Sequence, residues 1–214
     1  MVTSKRTTAY LRGLLKPDTV LEQMGITGRD ASFPMLPPES AQLLRLLLEI
    51  HNPKKILEIG TNIGYSAIVM LQASKEAQLY TIEMDEKNAE IAKQNFLNAG
   101  VSNRATIFIG KAEEVLLYMS GTYDFIFLDG PKGHYLLLLE YLLPLLSDGG
   151  VLICDNVLFR GMITGDRKLK RRKETICKKL NLFLQKISTD EKLITTVLPI
   201  GDGISVSVKR SNLC

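Results

Sequence analysis

Short apolar runs recur along the chain, each closed by Gly, Pro, Asn or Asp, and between them lie longer stretches whose apolar residues return every three or four positions. The short runs predict strands over 55–59, 78–83, 105–109, 125–129 and 151–155, and the longer stretches predict helices over 64–73, 86–99, 112–119 and 135–146. Strand and helix in strict alternation is the order of a parallel sheet covered by helices. Two further strands, 192–198 and 204–209, flank Gly201-Asp202-Gly203. They can pair only antiparallel, because a parallel crossover needs about a dozen residues or more.

Upstream of the first strand, 4–50 reads as three helical pieces. Pro37 and Pro38 stand where a helix starts, and Leu43, Leu44, Leu46, Leu47 and Ile50 give that helix its apolar positions. The chain shows no internal repeat, low-complexity tract or long linker. One domain over 1–214, with 1–50 as a helical N-terminal cap, is the expected organisation.

At 214 residues, with 45% hydrophobic and 23% charged residues, the chain has the make-up of a globular domain with a sizeable core. The start of the chain has no apolar leader, and no later apolar run is long enough to span a bilayer, so a soluble cytoplasmic protein without a membrane partner is expected. Cys154, Cys177 and Cys214 lack C-x-x-C spacing, which argues against a disulfide framework or a thiolate zinc site. The net charge of +4 is unevenly spread. Ten of the 27 basic residues fall between Arg160 and Lys186 against two of the 23 acidic ones, leaving 17 basic and 21 acidic residues elsewhere.

Chemistry gathers where the predicted strands end. Ile59-Gly60-Thr61-Asn62-Ile63-Gly64-Tyr65-Ser66 joins the first strand to a helix start, the arrangement that aims backbone N–H groups at a nucleotide. Of the dinucleotide fingerprint G-x-G-x-x-G only Gly60 is present, with Asn62 and Tyr65 in the other two places. The second glycine is what admits a pyrophosphate, so an adenosine cofactor without phosphate is favoured over NAD. Glu83 closes the second strand, where a carboxylate can accept hydrogen bonds from ribose hydroxyls. Asp129 ends the fourth strand and Asp155-Asn156 the fifth. Three oxygen donors opening into one crevice suit a hard divalent cation such as magnesium.

These segments resemble the cation-dependent O-methyltransferase family, which includes catechol and caffeoyl-coenzyme A O-methyltransferases. The matching stretches are Met35-Leu36-Pro37-Pro38-Glu39, Leu57-Glu58-Ile59-Gly60-Thr61 with Gly64-Tyr65-Ser66, Asp129-Gly130-Pro131-Lys132, Asp155-Asn156-Val157-Leu158-Phe159-Arg160-Gly161 and Pro199-Ile200-Gly201-Asp202-Gly203. The resemblance implies a Rossmann-like α/β fold of the S-adenosylmethionine-dependent methyltransferase type, its seven-stranded sheet mostly parallel with an antiparallel C-terminal pair. It implies S-adenosylmethionine contacts at Met35, Glu58, Gly60, Ser66, Glu83, Ala112, Glu113 and Asp129, and metal ligation at Asp129, Asp155 and Asn156. Lys132 falls at the place of the family's catalytic lysine and is expected to take the hydroxyl proton beside Asp129. Gly130-Pro131 departs from the residues commonest there. His134 stands nearby, but the carboxylate set is complete without it.

Chelation by the metal restricts the acceptor to a hydroxyl with a second oxygen beside it. Catechols qualify, and so does 5-hydroxyuridine. The basic segment begins directly after Asp155-Asn156, and Arg160, Arg167, Lys168, Lys170, Arg171, Arg172 and Lys173 are the residues expected to meet a phosphate backbone. This charge resembles that of the bacterial relatives that methylate 5-hydroxyuridine at the tRNA wobble position to 5-methoxyuridine, and tRNA is the expected partner. A small-molecule catechol or caffeoyl-CoA-type enzyme is the competing reading, and a non-catalytic RNA-binding module a third. Resemblance also implies a homodimer.

Overall fold

Seven strands, β1 (Lys55–Ile59), β2 (Gln78–Glu83), β3 (Ala105–Ile109), β4 (Tyr123–Leu128), β5 (Leu146–Cys154), β6 (Leu193–Leu198) and β7 (Ile204–Lys209), form one sheet in the order 3-2-1-4-5-7-6. The computed structural model describes residues 4–16, 24, 33, 35–164 and 171–211. Strands β1 to β5 run parallel, and β7 pairs antiparallel with both β5 and β6. The expected fold is therefore borne out, down to the antiparallel C-terminal pair.

Seven helices accompany the sheet among the described residues: α1 (Lys5–Gly13), α2 (Pro38–His51), α3 (Tyr65–Ala73), α4 (Glu86–Asn98), α5 (Ala112–Val115), α6 (Tyr135–Leu145) and α7 (Arg171–Thr189). Their starts follow from local chemistry. Pro38 opens α2 with its φ already helical, and Asp85 caps α4 by accepting from the N–H groups of Lys87 and Asn88. At the other end of α3, the Arg104 guanidinium donates to the carbonyls of Leu71, Ser74 and Ala77, placing a cation at the helix C-terminus.

The alternation of side chains along each strand builds two cores, one per face. Ile56, Phe125, Phe127, Val151 and Ile153 pack with Leu44 and Leu48 of α2 and with α3. Leu57, Ile59, Ile126, Leu128 and Leu152 pack with α6 and with Leu180, Phe183 and Ile187 of α7. Burying each such side chain contributes roughly 1.5–3 kcal/mol.

Some boundaries differ from expectation. The helix expected over 112–119 stops at Val115 and tightens into a 3-10 turn, Leu116–Tyr118. Strand β5 begins at Leu146, which pairs with Tyr123; the ladder then resumes at Val151 opposite Phe125, after an irregular stretch that holds Gly149 at φ +76°. Of the three helical pieces expected before β1, the first and third are α1 and α2. Most of the middle one lies outside the described residues. No helix among the described residues is long and apolar enough to cross a membrane.

From β1 the chain steps outward to β2 and β3, and then crosses back to build β4 and β5 on the other side. The sheet thus reverses direction between β1 and β4, where ligands of open α/β sheets bind at the strands' C-terminal ends.

Candidate active site

The residues at that reversal are held by the sheet ladder itself. Asp129 N–H donates to Ile59 O at 2.9 Å, and Asp155 N–H donates to Leu128 O at 3.0 Å, so the tips of β1, β4 and β5 stand side by side. Gly60 has φ +100°, and a β-carbon there would lie 2.4 Å from Asp129 O, a distance only glycine permits. Gly64 opens α3 at φ +86°, with the Phe96 ring where a β-carbon would go. Asn62, at φ +48°, uses its N–H to hold Glu83 Oε2 at 2.7 Å, while Asp85 N–H holds Glu83 Oε1 at 2.9 Å. The Glu83 carboxylate is thereby fixed at the mouth of the crevice.

Glu58 lies deeper. It is 0% exposed, its oxygens accept from the hydroxyls of Ser66 and Thr81, and burial pushes its carboxyl up to about 7. Thr61 Oγ1 lies 2.5 Å from Thr81 Oγ1 and extends this network beneath the turn. Ser66, on the first turn of α3, thus faces Glu58.

Asp129 and Asp155 stand at the neighbouring tips of β4 and β5, and Asn156 follows Asp155. Lys132 Nζ donates to Asp129 Oδ1 at 2.8 Å and sits 5.9 Å from the centre of the Tyr135 ring. Asp155 is 1% exposed. Asn156 donates its side-chain N–H to Asp155 Oδ2 at 2.9 Å, whereas Asp155 Oδ1 is buried with no hydrogen-bond partner among the described residues. Burial first, and the Asp129 charge second, hold the Asp155 carboxyl above the usual carboxylate range. A buried carboxylate oxygen without a donor, next to a second carboxylate, fits a hard cation. Among the described residues no group of three His, Cys, Asp or Glu side chains could hold a metal ion.

A family model described as O-methyltransferase matches residues 15–210. The chain belongs to the O-methyltransferase family. It is 35% identical over 131 residues to the catechol O-methyltransferase of Niastella koreensis, covering 59% of each chain. Against the caffeoyl-CoA O-methyltransferase of Citrus natsudaidai it is 30% identical over 178 residues, 79% of this chain and 77% of that one. A solved O-methyltransferase from Bacillus cereus in complex with SAH is similar in fold, with a TM-score of 0.86 at 28% identity over 98% of this chain and 100% of the other. Membership bears out the expectation of an S-adenosylmethionine-dependent O-methyltransferase.

The remaining predicted positions of this O-methyltransferase distribute as follows. Met35 is half-buried against the first core, and Ala112 packs against the second. Glu113 Oε1 stands 3.6 Å from His134 Nδ1, so His134 faces that carboxylate. Arg160, Arg171 and Lys173 are exposed. Arg167, Lys168 and Lys170 lie outside the described residues, and Arg172 is described only as part of the α7 backbone.

Sequence reasoning missed two residues that shape the site. Tyr135, fully buried, donates its hydroxyl to Asp155 O at 2.9 Å and Leu128 O at 3.2 Å, bracing the ends of β4 and β5. Its place at a helix start reads as core, and nothing in the pattern signals the hydroxyl's task. Thr81 is the other: its alternation within β2 puts it on the Glu58 face, a register that only strand pairing reveals. A hollow of about 370 Å³ lined by His51, Lys54, Asp124 and Asp148 opens at the other ends of β1, β4 and β5, where these strands begin, away from this chemistry.

Proposed function

We propose that this O-methyltransferase transfers the methyl group of S-adenosylmethionine to a hydroxyl with a second oxygen beside it, aided by a divalent cation, magnesium on the donor chemistry, held by Asp129, Asp155 and Asn156. The observation that carries the reading is the buried, donorless Oδ1 of Asp155 beside the Asp129 carboxylate. Such a cation supplies Lewis acidity that makes a hydroxyl easier to deprotonate. Glu83, fixed by two backbone amides, accepts from the ribose of the methyl donor, and Gly60 keeps the strand tips close enough to hold donor and acceptor together. Lys132 takes the hydroxyl proton at Nζ, and Tyr135 holds the two strand ends that set its distance from the acceptor.

The acceptor in this reading is 5-hydroxyuridine at the tRNA wobble position. Its support is where the basic charge stands: Ile176 of α7 lies 3.9 Å from where a β-carbon on Gly133 would be, so the helix bearing Arg171 and Lys173 packs directly on the Lys132 turn. A small catechol or caffeoyl-CoA acceptor is the second reading, favoured by the names of the relatives. In either case the chain pairs with a second copy through its N-terminal helices, where Leu46 (55%) and Ile50 (73%) are exposed.

The deciding experiment incubates the protein with labelled S-adenosylmethionine, magnesium and tRNA from a strain lacking this gene, followed by mass spectrometry of the nucleosides. A labelled methoxyuridine supports the tRNA reading. Turnover of a catechol with no label in tRNA reverses it.

A further inference from the structure

The segment that leaves β5 carries Asp155 and Asn156 and then runs through an unusual backbone. Asn156, Phe159 and Arg160 have φ of +57°, +45° and +56°, and Gly161 follows at +73°. Three non-glycine residues within five positions in the left-handed region persist only where the surroundings hold them. Phe159 N–H and Gly161 N–H donate within the segment, to Asn156 O and Leu158 O, and one turn, between β6 and β7, holds it from outside. Val157 N–H donates to Gly203 O at 3.0 Å, Leu158 N–H donates to Asp202 O at 3.1 Å, and Arg160 N–H donates to Asp202 Oδ1. Gly203, at φ +90°, leaves no room for a side chain, since a β-carbon there would lie 2.3 Å from Leu158 Cγ.

Within the reading proposed above, we infer that Asp202 is a positioning residue for methyl transfer: its side-chain carboxylate, accepting from Arg160 N–H, clamps the strained segment and so fixes where Asp155 and Asn156 stand. Two backbone bonds anchor Val157 and Leu158 whatever occupies position 202. The third depends on the Asp202 side chain and falls on a residue whose conformation is itself strained. What the clamp requires is an acceptor oxygen, which Asn supplies as well as Asp.

The test compares Asp202→Ala with Asp202→Asn in the full chain, by methyl-transfer kinetics with a catechol or tRNA acceptor and by amide hydrogen exchange over 156–164. For Asp202→Ala we expect kcat about 10- to 100-fold lower, the penalty of a misplaced site, with KM for S-adenosylmethionine unchanged and protection at Arg160 lost. Asp202→Asn restores both protection and kcat. Two results overturn the inference: protection and kcat in Asp202→Ala equal to wild type, or an Asp202→Asn protein that keeps protection yet is as slow as the alanine variant, which would make charge and not clamping the role. Hydrogen exchange needs no turnover, so a wild-type protein inactive on every acceptor would count against the proposed function and leave the clamp to be judged on protection.

Discussion

Gly60 and Asp129 meet backbone to backbone at the point where the sheet reverses, with room between them for a hydrogen and not for a methyl group. The same contact that brings the glycine turn against the Asp129 backbone forbids any side chain on the turn. Gly60→Ala has to accommodate both φ +100° and an atom 2.4 Å from Asp129 O. The unfavourable φ alone costs about 1–3 kcal/mol. We expect a lower Tm and a loss of S-adenosylhomocysteine binding by calorimetry, and wild-type affinity in a folded variant would contradict the placing of the donor over this turn.

Asp155 separates stability from function. In metal-free protein its carboxyl is buried beside Asp129 and one oxygen lacks a donor, so removing the charge relieves a cost. Asp155→Asn is expected to raise the Tm of the metal-free protein and to lower turnover by at least about 100-fold, more than loss of an outer-shell partner usually brings. Its affinity for S-adenosylhomocysteine should stay unchanged. Full activity in the variant, or in wild type after exhaustive chelation, would remove the cation from the reading.

How much of this was legible beforehand depends on whether a feature is local in sequence. Strand β1 and its glycine turn could be read from consecutive residues, as could the acids at the ends of β4 and β5, since the chemistry of a parallel sheet collects at strand ends. The tasks of Tyr135 and Asp202 could not. Each acts on a segment at least 20 residues distant, Tyr135 on Asp155 and Asp202 on Arg160, through contacts that exist only once β5 lies between β4 and β7. Glu58 was legible as a motif residue, but its burial beneath Ser66 and Thr81 required the register of β1 on β2.

Glu58 gives a pH dependence with a definite sign. Desolvation raises its carboxyl from 4.5 to about 7, with the Ser66 and Thr81 hydroxyls opposing that shift. The folded protein therefore keeps a proton that the unfolded chain releases between these two values. Stability from this group falls as pH rises through that window, by about 3 kcal/mol in all, and is constant on either side of it. Urea unfolding at a series of pH values should give Glu58→Gln a flatter profile across the window than wild type. Parallel profiles would mean that Glu58 is not protonated in the folded state.

The basic first turn of α7 predicts a salt effect. If Arg171 and Lys173 neutralise phosphates, the double variant Arg171→Gln, Lys173→Gln should weaken tRNA binding. The slope of log affinity against log salt should also become shallower, by about 0.7–0.9 for each phosphate left without its cation. Catechol methylation at fixed pH should be indifferent to both salt and substitution. An unchanged slope would return this turn to the role of a solvated helix surface.

Lys132 touches Asp129 and so has two duties open to it, neutralising that carboxylate and taking a proton. Arginine separates them. In Lys132→Arg the guanidinium can still pair with Asp129, but it stays protonated at any working pH and cannot act as a base. If the lysine only balances charge, Lys132→Arg should be nearly as active as wild type while Lys132→Ala is impaired. If it accepts the hydroxyl proton, both variants should lose about 100- to 10,000-fold in kcat. Proton acceptance further predicts that raising the pH, which deprotonates the acceptor without help, narrows the gap between Lys132→Ala and wild type. We expect the second pattern, because in the proposed reading a divalent cation takes over the pairing with Asp129 and leaves Lys132 Nζ, half-buried over the Tyr135 ring, free to accept the hydroxyl proton. Single-turnover methylation across pH, with S-adenosylhomocysteine affinity as the control for folding, decides between the two.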